Sequence, residues 1–143
     1  MKYDDASWHS ESDNFPNDLP SDAAFTHTGL YLAWAMLADL ASKELQDDFE
    51  EELAKLRTRS IPPCQAYRAI DGKFTDEDLS DEGNAFTKAY FDFEVGQYLK
   101  DYEDVLCKDL PTMYHVADSW ENYERLKPVL DGRLAAWRAD GIE

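Results

Sequence analysis

The chain has 143 residues, of which 31 are acidic and 14 basic, giving a formal net charge of −17 and a pI near 4.3. That balance excludes unaided binding to nucleic acid or to an anionic membrane surface, since both require stripes of Lys and Arg. It favours solubility and steers encounters towards basic partners.

Disorder is excluded as well. Hydrophobic residues make up 43% of the chain and aromatics 13%, and each buried aromatic removes about 150–250 Å² from water. At 16.4 kDa the chain fits one domain. Cys64 and Cys107 are too few for a disulfide scaffold and read as ordinary reduced thiols. Met1-Lys2-Tyr3-Asp4-Asp5 lacks the basic-then-apolar pattern of a signal peptide. The longest apolar stretch, residues 30–40, contains Asp39 and is far shorter than the roughly 20 residues of a membrane span. A cytoplasmic protein is expected.

Residues 1–22 read as an irregular arm packed on the body, held extended by Phe15-Pro16 and Leu19-Pro20. Residues 23–143 read as a single helical domain. Ser21 or Asp22 is the expected cap of a helix over residues 23–41, apolar on nearly every face and so the buried centre of a bundle. Gly29 within it suits close approach of a neighbour. Residues 47–59 predict a second helix, with acids in its first turn and Arg57 and Arg59 at its end, as the helix dipole favours. Ile61-Pro62-Pro63 stops it and starts a short helix over 64–70. Beyond the acidic stretch 71–83, Ser80 or Asp81 caps a helix running through Phe86 and Tyr90. Gly96 breaks the chain before a helix over 97–107, and residues 110–116 predict a short extended piece. Ser119 caps a last helix over 120–139, which Pro128 is expected to kink or divide. The sum is an all-α, compact single-domain bundle of about five to seven helices.

No local motif carries a reaction. A calcium loop started at Asp76 has no Gly at its sixth place, since Gly83 arrives late. His9, His27 and His115 are scattered, and neither cysteine belongs to a zinc hook, so no metal or other cofactor is expected. His27 reads as a hydrogen-bonded core residue. There is no Gly-x-Ser-x-Gly elbow and no Gly-rich phosphate loop. The acidic stretch is either a solvated helix-capping turn or a partner surface. In the second reading Asp76, Glu77, Asp78, Asp81 and Glu82 steer a basic protein, and Trp8 and Trp120, each beside polar neighbours, anchor it. The plainer alternative for each indole is packing on the local surface. Trp34 belongs to the core.

Several stretches resemble a family of small uncharacterised acidic bacterial proteins. They are Lys2-Tyr3-Asp4-Asp5-Ala6-Ser7-Trp8-His9 with Phe15-Pro16, Thr26-His27-Thr28-Gly29 leading into Leu32-Ala33-Trp34-Ala35, and Asp71-Gly72-Lys73-Phe74 through Asn84-Ala85-Phe86. Gly96-Gln97-Tyr98-Leu99-Lys100-Asp101-Tyr102 and Tyr114-His115-Val116 with Trp120 complete the set. Members look like proteins encoded beside bacterial polymorphic toxins, for which immunity is the usual proposal, and no catalytic residues carry over. With the charge, the resemblance implies an immunity protein that binds a basic toxin, a nuclease among the candidates, and occludes its active site. The rival expectations are a small enzyme such as a hydrolase, using His27, His115 and nearby carboxylates, and a housekeeping adaptor.

Overall fold

The computed structural model describes residues 2–13, 15–91 and 97–140. Gly96 and the side chain of Asp22 lie outside the described residues. In chain order the elements are β1 (Lys2–Asp5), α1 (Ala6–Ser10), α2 (Thr26–Leu37), α3 (Lys43–Asp48), α4 (Glu50–Thr58), α5 (Gln65–Ala69), β2 (Lys73–Thr75), α6 (Asp81–Tyr90), α7 (Tyr98–Leu106) and α8 (Trp120–Asp140). Short 3-10 turns occupy Ser21–Phe25, Asp76–Asp78 and Met113–His115. The all-α class holds. The eight α-helices among the described residues exceed the expected five to seven because several are only five or six residues long.

α2 is the axis of the molecule. Every residue from Thr26 to Met36 is buried, and α4, α5 and α8 all pack on it. It is shorter than the apolar run predicts. Before it the chain is wound as a 3-10 turn that follows Pro20 without a side-chain cap. After it, Asp39 takes the left-handed conformation (φ 66°) and the Leu40 N–H donates back to Ala35 O at 2.8 Å. A six-to-one bond of this kind closes a helix even when apolar residues continue. Gly29 faces Cys64 so closely that a Cβ there would lie 2.6 Å from Sγ, so α2 and the head of α5 touch through a missing side chain.

The helix expected over 47–59 is two helices with a break at Phe49 (φ −123°, ψ 37°). α3 begins earlier because Ser42 caps it, accepting from Leu45 N–H at 3.1 Å. The piece expected to be extended near 110–116 contains a 3-10 turn capped by Thr112. α8 runs on through Pro128. Proline deletes one backbone donor, but Pro128 and Glu124, four residues back, are both exposed, so the released carbonyl meets water. The arm is more regular than expected at its start. β1 pairs antiparallel with β2, Asp4 against Phe74 and Asp5 against Lys73, with a register irregularity between Lys2 and Asp4.

Two polar contacts tie the helices together. Trp34, 1% exposed, donates its indole N–H to Asp131 Oδ1 on α8 at 2.9 Å. Asp101 on α7, 5% exposed, accepts from Tyr90 Oη on α6 at 2.6 Å, from Gln97 Nε2 at 3.2 Å, and from Arg133 Nε and Nη2 on α8 at 2.8 and 2.9 Å. Burial alone would raise the Asp101 carboxyl. The hydrogen bonds from Arg133, Tyr90 and Gln97 outweigh it and hold the group below the usual carboxylate range.

Trp34→Ala is expected to lower the unfolding free energy by about 3–5 kcal/mol, the range for emptying a buried aromatic site. A urea titration showing a loss under about 1 kcal/mol would place that ring outside the core. Asp101→Ala is expected to cost about 2–3 kcal/mol near neutral pH, discounted because Arg133 keeps water on one side. The folded pKa lies below the unfolded value of about 3.9, so this stabilisation is complete above that pH and fades as pH falls through the folded value. Denaturation curves across the acid range should show wild type and variant converging; a constant gap would assign the loss to packing.

Candidate functional site

β1, whose register shifts between Lys2 and Asp4, carries Asp4 fully buried. The next residue, Asp5, caps α1 by accepting from Ser7 N–H at 3.0 Å and Ser7 Oγ at 2.7 Å. That cap fixes the direction of α1, so that His9 folds back over Asp4. The opening turn of α2 supplies His27 and Thr28 from the other side. The result is a buried polar cluster. Asp4 Oδ1 lies 2.7 Å from His9 Nε2, while Oδ2 accepts from Thr28 Oγ1 at 2.5 Å and lies 3.3 Å from His27 Nε2. His9 Nδ1 is 2.9 Å from the Tyr114 hydroxyl. The two imidazoles stand edge to face with centroids 4.5 Å apart, and the Tyr98 hydroxyl donates to the His27 carbonyl at 2.5 Å.

The electrostatics follow from burial. Desolvation opposes charge on Asp4, but hydrogen bonds from His27 and His9 and the attraction of both rings more than offset it, holding the carboxyl well below the ordinary range. His27 is 1% exposed. Burial lowers its pKa against the opposing pull of Asp4. The cluster therefore presents an ionised carboxylate beside a buried imidazole. His115 takes other partners, Thr112 Oγ1 at 2.9 Å and Asp18 Oδ2 at 3.0 Å. The histidine that shares a carboxylate with His27 is His9, not His115. Burial raises both thiols, Cys107 to about 11, so each keeps its proton near neutral pH.

The predicted partner residues lie elsewhere. Ser42 joins α3 to the 3-10 turn of residues 76–78, its N–H donating to Asp78 O at 2.9 Å and its hydroxyl to Glu77 O at 2.8 Å. This sets Glu44, Asp47 and Asp48 of α3, all exposed, beside the acidic turn with its exposed Glu77. Asp78 is drawn inward, accepting from Thr75 N–H at 2.9 Å, and burial raises its carboxyl. Asp81 is exposed, while Glu82 takes both Arg138 donors at 2.9 Å. Asp76 is half-buried. Trp8 is 53% exposed with the Lys2 ammonium 5.8 Å from its ring, and Lys2 stands opposite Thr75 in the sheet. Trp120 is half-buried; its indole donates to Ile61 O at 2.9 Å and its ring lies 4.7 Å from the Arg59 guanidinium.

A family model described as a domain of unknown function, DUF7832, matches residues 2–116. The chain belongs to the DUF7832 family. Asp4, His9, His27, Thr28 and Tyr114 all fall inside the DUF7832 match, as do the five acids of the 76–82 stretch, whereas Trp120 and α8 lie beyond it. No curated protein and no solved structure matches the chain significantly. The sequence does not mark Asp4 as a site residue because residues 1–22 read as an irregular arm, nor Tyr114, which falls in the piece expected to be extended. The available signal was an acid and a histidine in one short stretch, Asp4 to His9, facing a second histidine on the central helix.

Thr28→Val keeps the side-chain shape and removes the donor to Asp4. It is expected to lower stability by about 1–3 kcal/mol, the cost of leaving a buried acceptor short of a partner. Equilibrium unfolding checks this, and a loss of a few tenths would mean that Asp4 is satisfied without the hydroxyl.

Proposed function

We propose that this protein is a cytoplasmic immunity protein that neutralises a cognate antibacterial toxin, a nuclease among the candidates, by binding one to one and occluding its active site. The observation that carries the reading is the meeting of α3 with the 76–78 turn. Segments distant in sequence combine their carboxylates into one acidic surface, larger than the 76–82 stretch alone. Of the helices described, none is long and apolar enough to cross a membrane, which agrees with the cytoplasmic setting. Family resemblance and the charge of −17 support the same reading.

The mechanism follows from the charges. Carboxylates of α3, the acidic turn and the head of α6 attract Lys and Arg around the toxin's active-site cleft and raise the encounter rate. Holding the complex falls to desolvated aromatic anchors. Trp8 offers the more exposed ring, beside the strand that leads into Asp76. Trp120 stands second, because Ile61 and Arg59 already engage it. Asp78 and Glu82 shape the surface while holding Thr75 and Arg138.

The test is stopped-flow binding to the protein encoded by the adjacent gene. A variant with Glu44→Gln, Asp47→Asn, Asp48→Asn, Glu77→Gln and Asp81→Asn spares Asp78 and Glu82, which hold Thr75 and Arg138. It is expected to associate about 10-fold or more slowly at low salt, with little change in dissociation. Wild-type association should fall as salt approaches about 150 mM, where the Debye length is about 8 Å. Trp8→Ala should act mainly on dissociation. Wild-type association by the five-fold variant would remove the acidic surface from the interface, and no binding by the wild type would sink the immunity reading.

A further inference from the structure

Asp4, His9 and His27 offer a combination that neither an acidic surface nor an immunity role requires. The three side chains come from β1, α1 and α2, and their donor atoms all lie within 4.8 Å of one another. Two imidazole nitrogens and one carboxylate form a set that suits zinc and its neighbours rather than calcium or magnesium, which take oxygen donors. Ligands of a tetrahedral zinc at about 2.0–2.1 Å stand about 3.3 Å apart. His27 Nε2 and Asp4 Oδ2 are already 3.3 Å apart. His9 Nε2 hydrogen-bonds the other carboxylate oxygen, Asp4 Oδ1, at 2.7 Å, so it has to leave that bond to share an ion with Oδ2.

We propose that Asp4, His9 and His27 bind one divalent transition-metal ion of the zinc class, fastening β1 and α1 to the head of α2. The outer partners that such a site needs are in place. Thr28 Oγ1 orients the Asp4 carboxylate at 2.5 Å, and the Tyr114 hydroxyl holds His9 Nδ1 at 2.9 Å. Without an ion, the carboxylate accepts from His9 Nε2–H, and Nδ1 accepts from the phenol. On metal binding the ring proton moves to Nδ1, freeing the Nε2 lone pair, and the phenol oxygen becomes the acceptor. Each imidazole keeps one proton throughout: His27 coordinates through Nε2 as its Nδ1–H tautomer, and Tyr114 serves either tautomer of His9. The His9 side chain is 15% exposed where Asp4 is fully buried, so His9 lies on the entry path. Among the described residues the donors number three, and a tetrahedral ion takes one further ligand beside them.

Chelator-treated full-length protein is titrated with Zn²⁺ by calorimetry and with Co²⁺ by visible absorption, alongside thermal unfolding. We expect one equivalent bound, cobalt bands of a four-coordinate site, and a rise in midpoint with Zn²⁺ that an equal concentration of Mg²⁺ does not reproduce. His9→Gln, at the partly exposed ligand, should weaken binding by more than the roughly 10–100-fold that loss of an outer partner costs, and Tyr114→Phe should fall within that range. His115→Gln, outside the cluster, should bind as the wild type does. The proposal is overturned if wild type takes up no stoichiometric Zn²⁺. It is equally overturned if natively folded His9→Gln binds with wild-type affinity, since the ion would then sit on other carboxylates. These results are independent of toxin binding, so either proposal can fail alone.

Discussion

A helix with no polar face has to be covered on every side, and the molecule is organised by that constraint. From Thr26 to Met36 α2 is buried throughout, and amphipathic packing against one neighbour cannot achieve this. The surrounding elements are correspondingly numerous and short. α4, α5 and α8 take its flanks, the sheet of β1 and β2 brings Phe74 against Tyr31, and the chain between α6 and α7 contributes Phe91, which stacks on Tyr98. Close approach is reached by subtraction at Gly29, where Cys64 occupies the space a side chain would fill.

Complete burial has a consequence for the polar groups that α2 carries. His27 and Thr28 cannot reach water from the head of the helix, so their partners must be brought inside. Asp4, on β1, meets that demand. The ionised carboxylate is in turn tolerable only because hydroxyl and imidazole groups surround it. The acidic surface answers to different physics: its carboxylates are solvated, screened by salt and individually worth little to stability. One polar region is a tightly specified interior, and the other is a field.

The central helix, the reduced thiols, the Ser119 cap and the late helices were legible because each is written in local periodicity or in a single capping residue. Ser119 does accept from Asn122 N–H, at 3.2 Å. The early start of α3 and the continuation of α8 through Pro128 were not. Each depends on tertiary surroundings: Ser42 bonding a turn some 35 residues away, or an exposed Glu124 carbonyl that water can satisfy. The buried cluster was half legible. His27 lies in the core as expected, but pairing Asp4 with it requires knowing that the first strand lies against β2. Acidic residues at 76–82 were visible as a run, while their union with α3 rests on a contact that no spacing rule announces.

The Asp101–Arg133 clamp separates two notions of a domain. The DUF7832 match ends at Val116, yet Arg133, Asp131 and the buried Leu126, Leu130 and Leu134 all belong to α8. Cut at the family boundary, the chain would expose the flank of α2 beside Trp34 and leave the Asp101 carboxylate without its cation. The stretch that the family model matches is therefore shorter than the stretch whose side chains complete this core. Within this fold α8 acts as an intramolecular ligand of the matched region. A relative with a different C-terminal segment would have to supply an equivalent apolar stripe and a cation from elsewhere, in the same chain or in another.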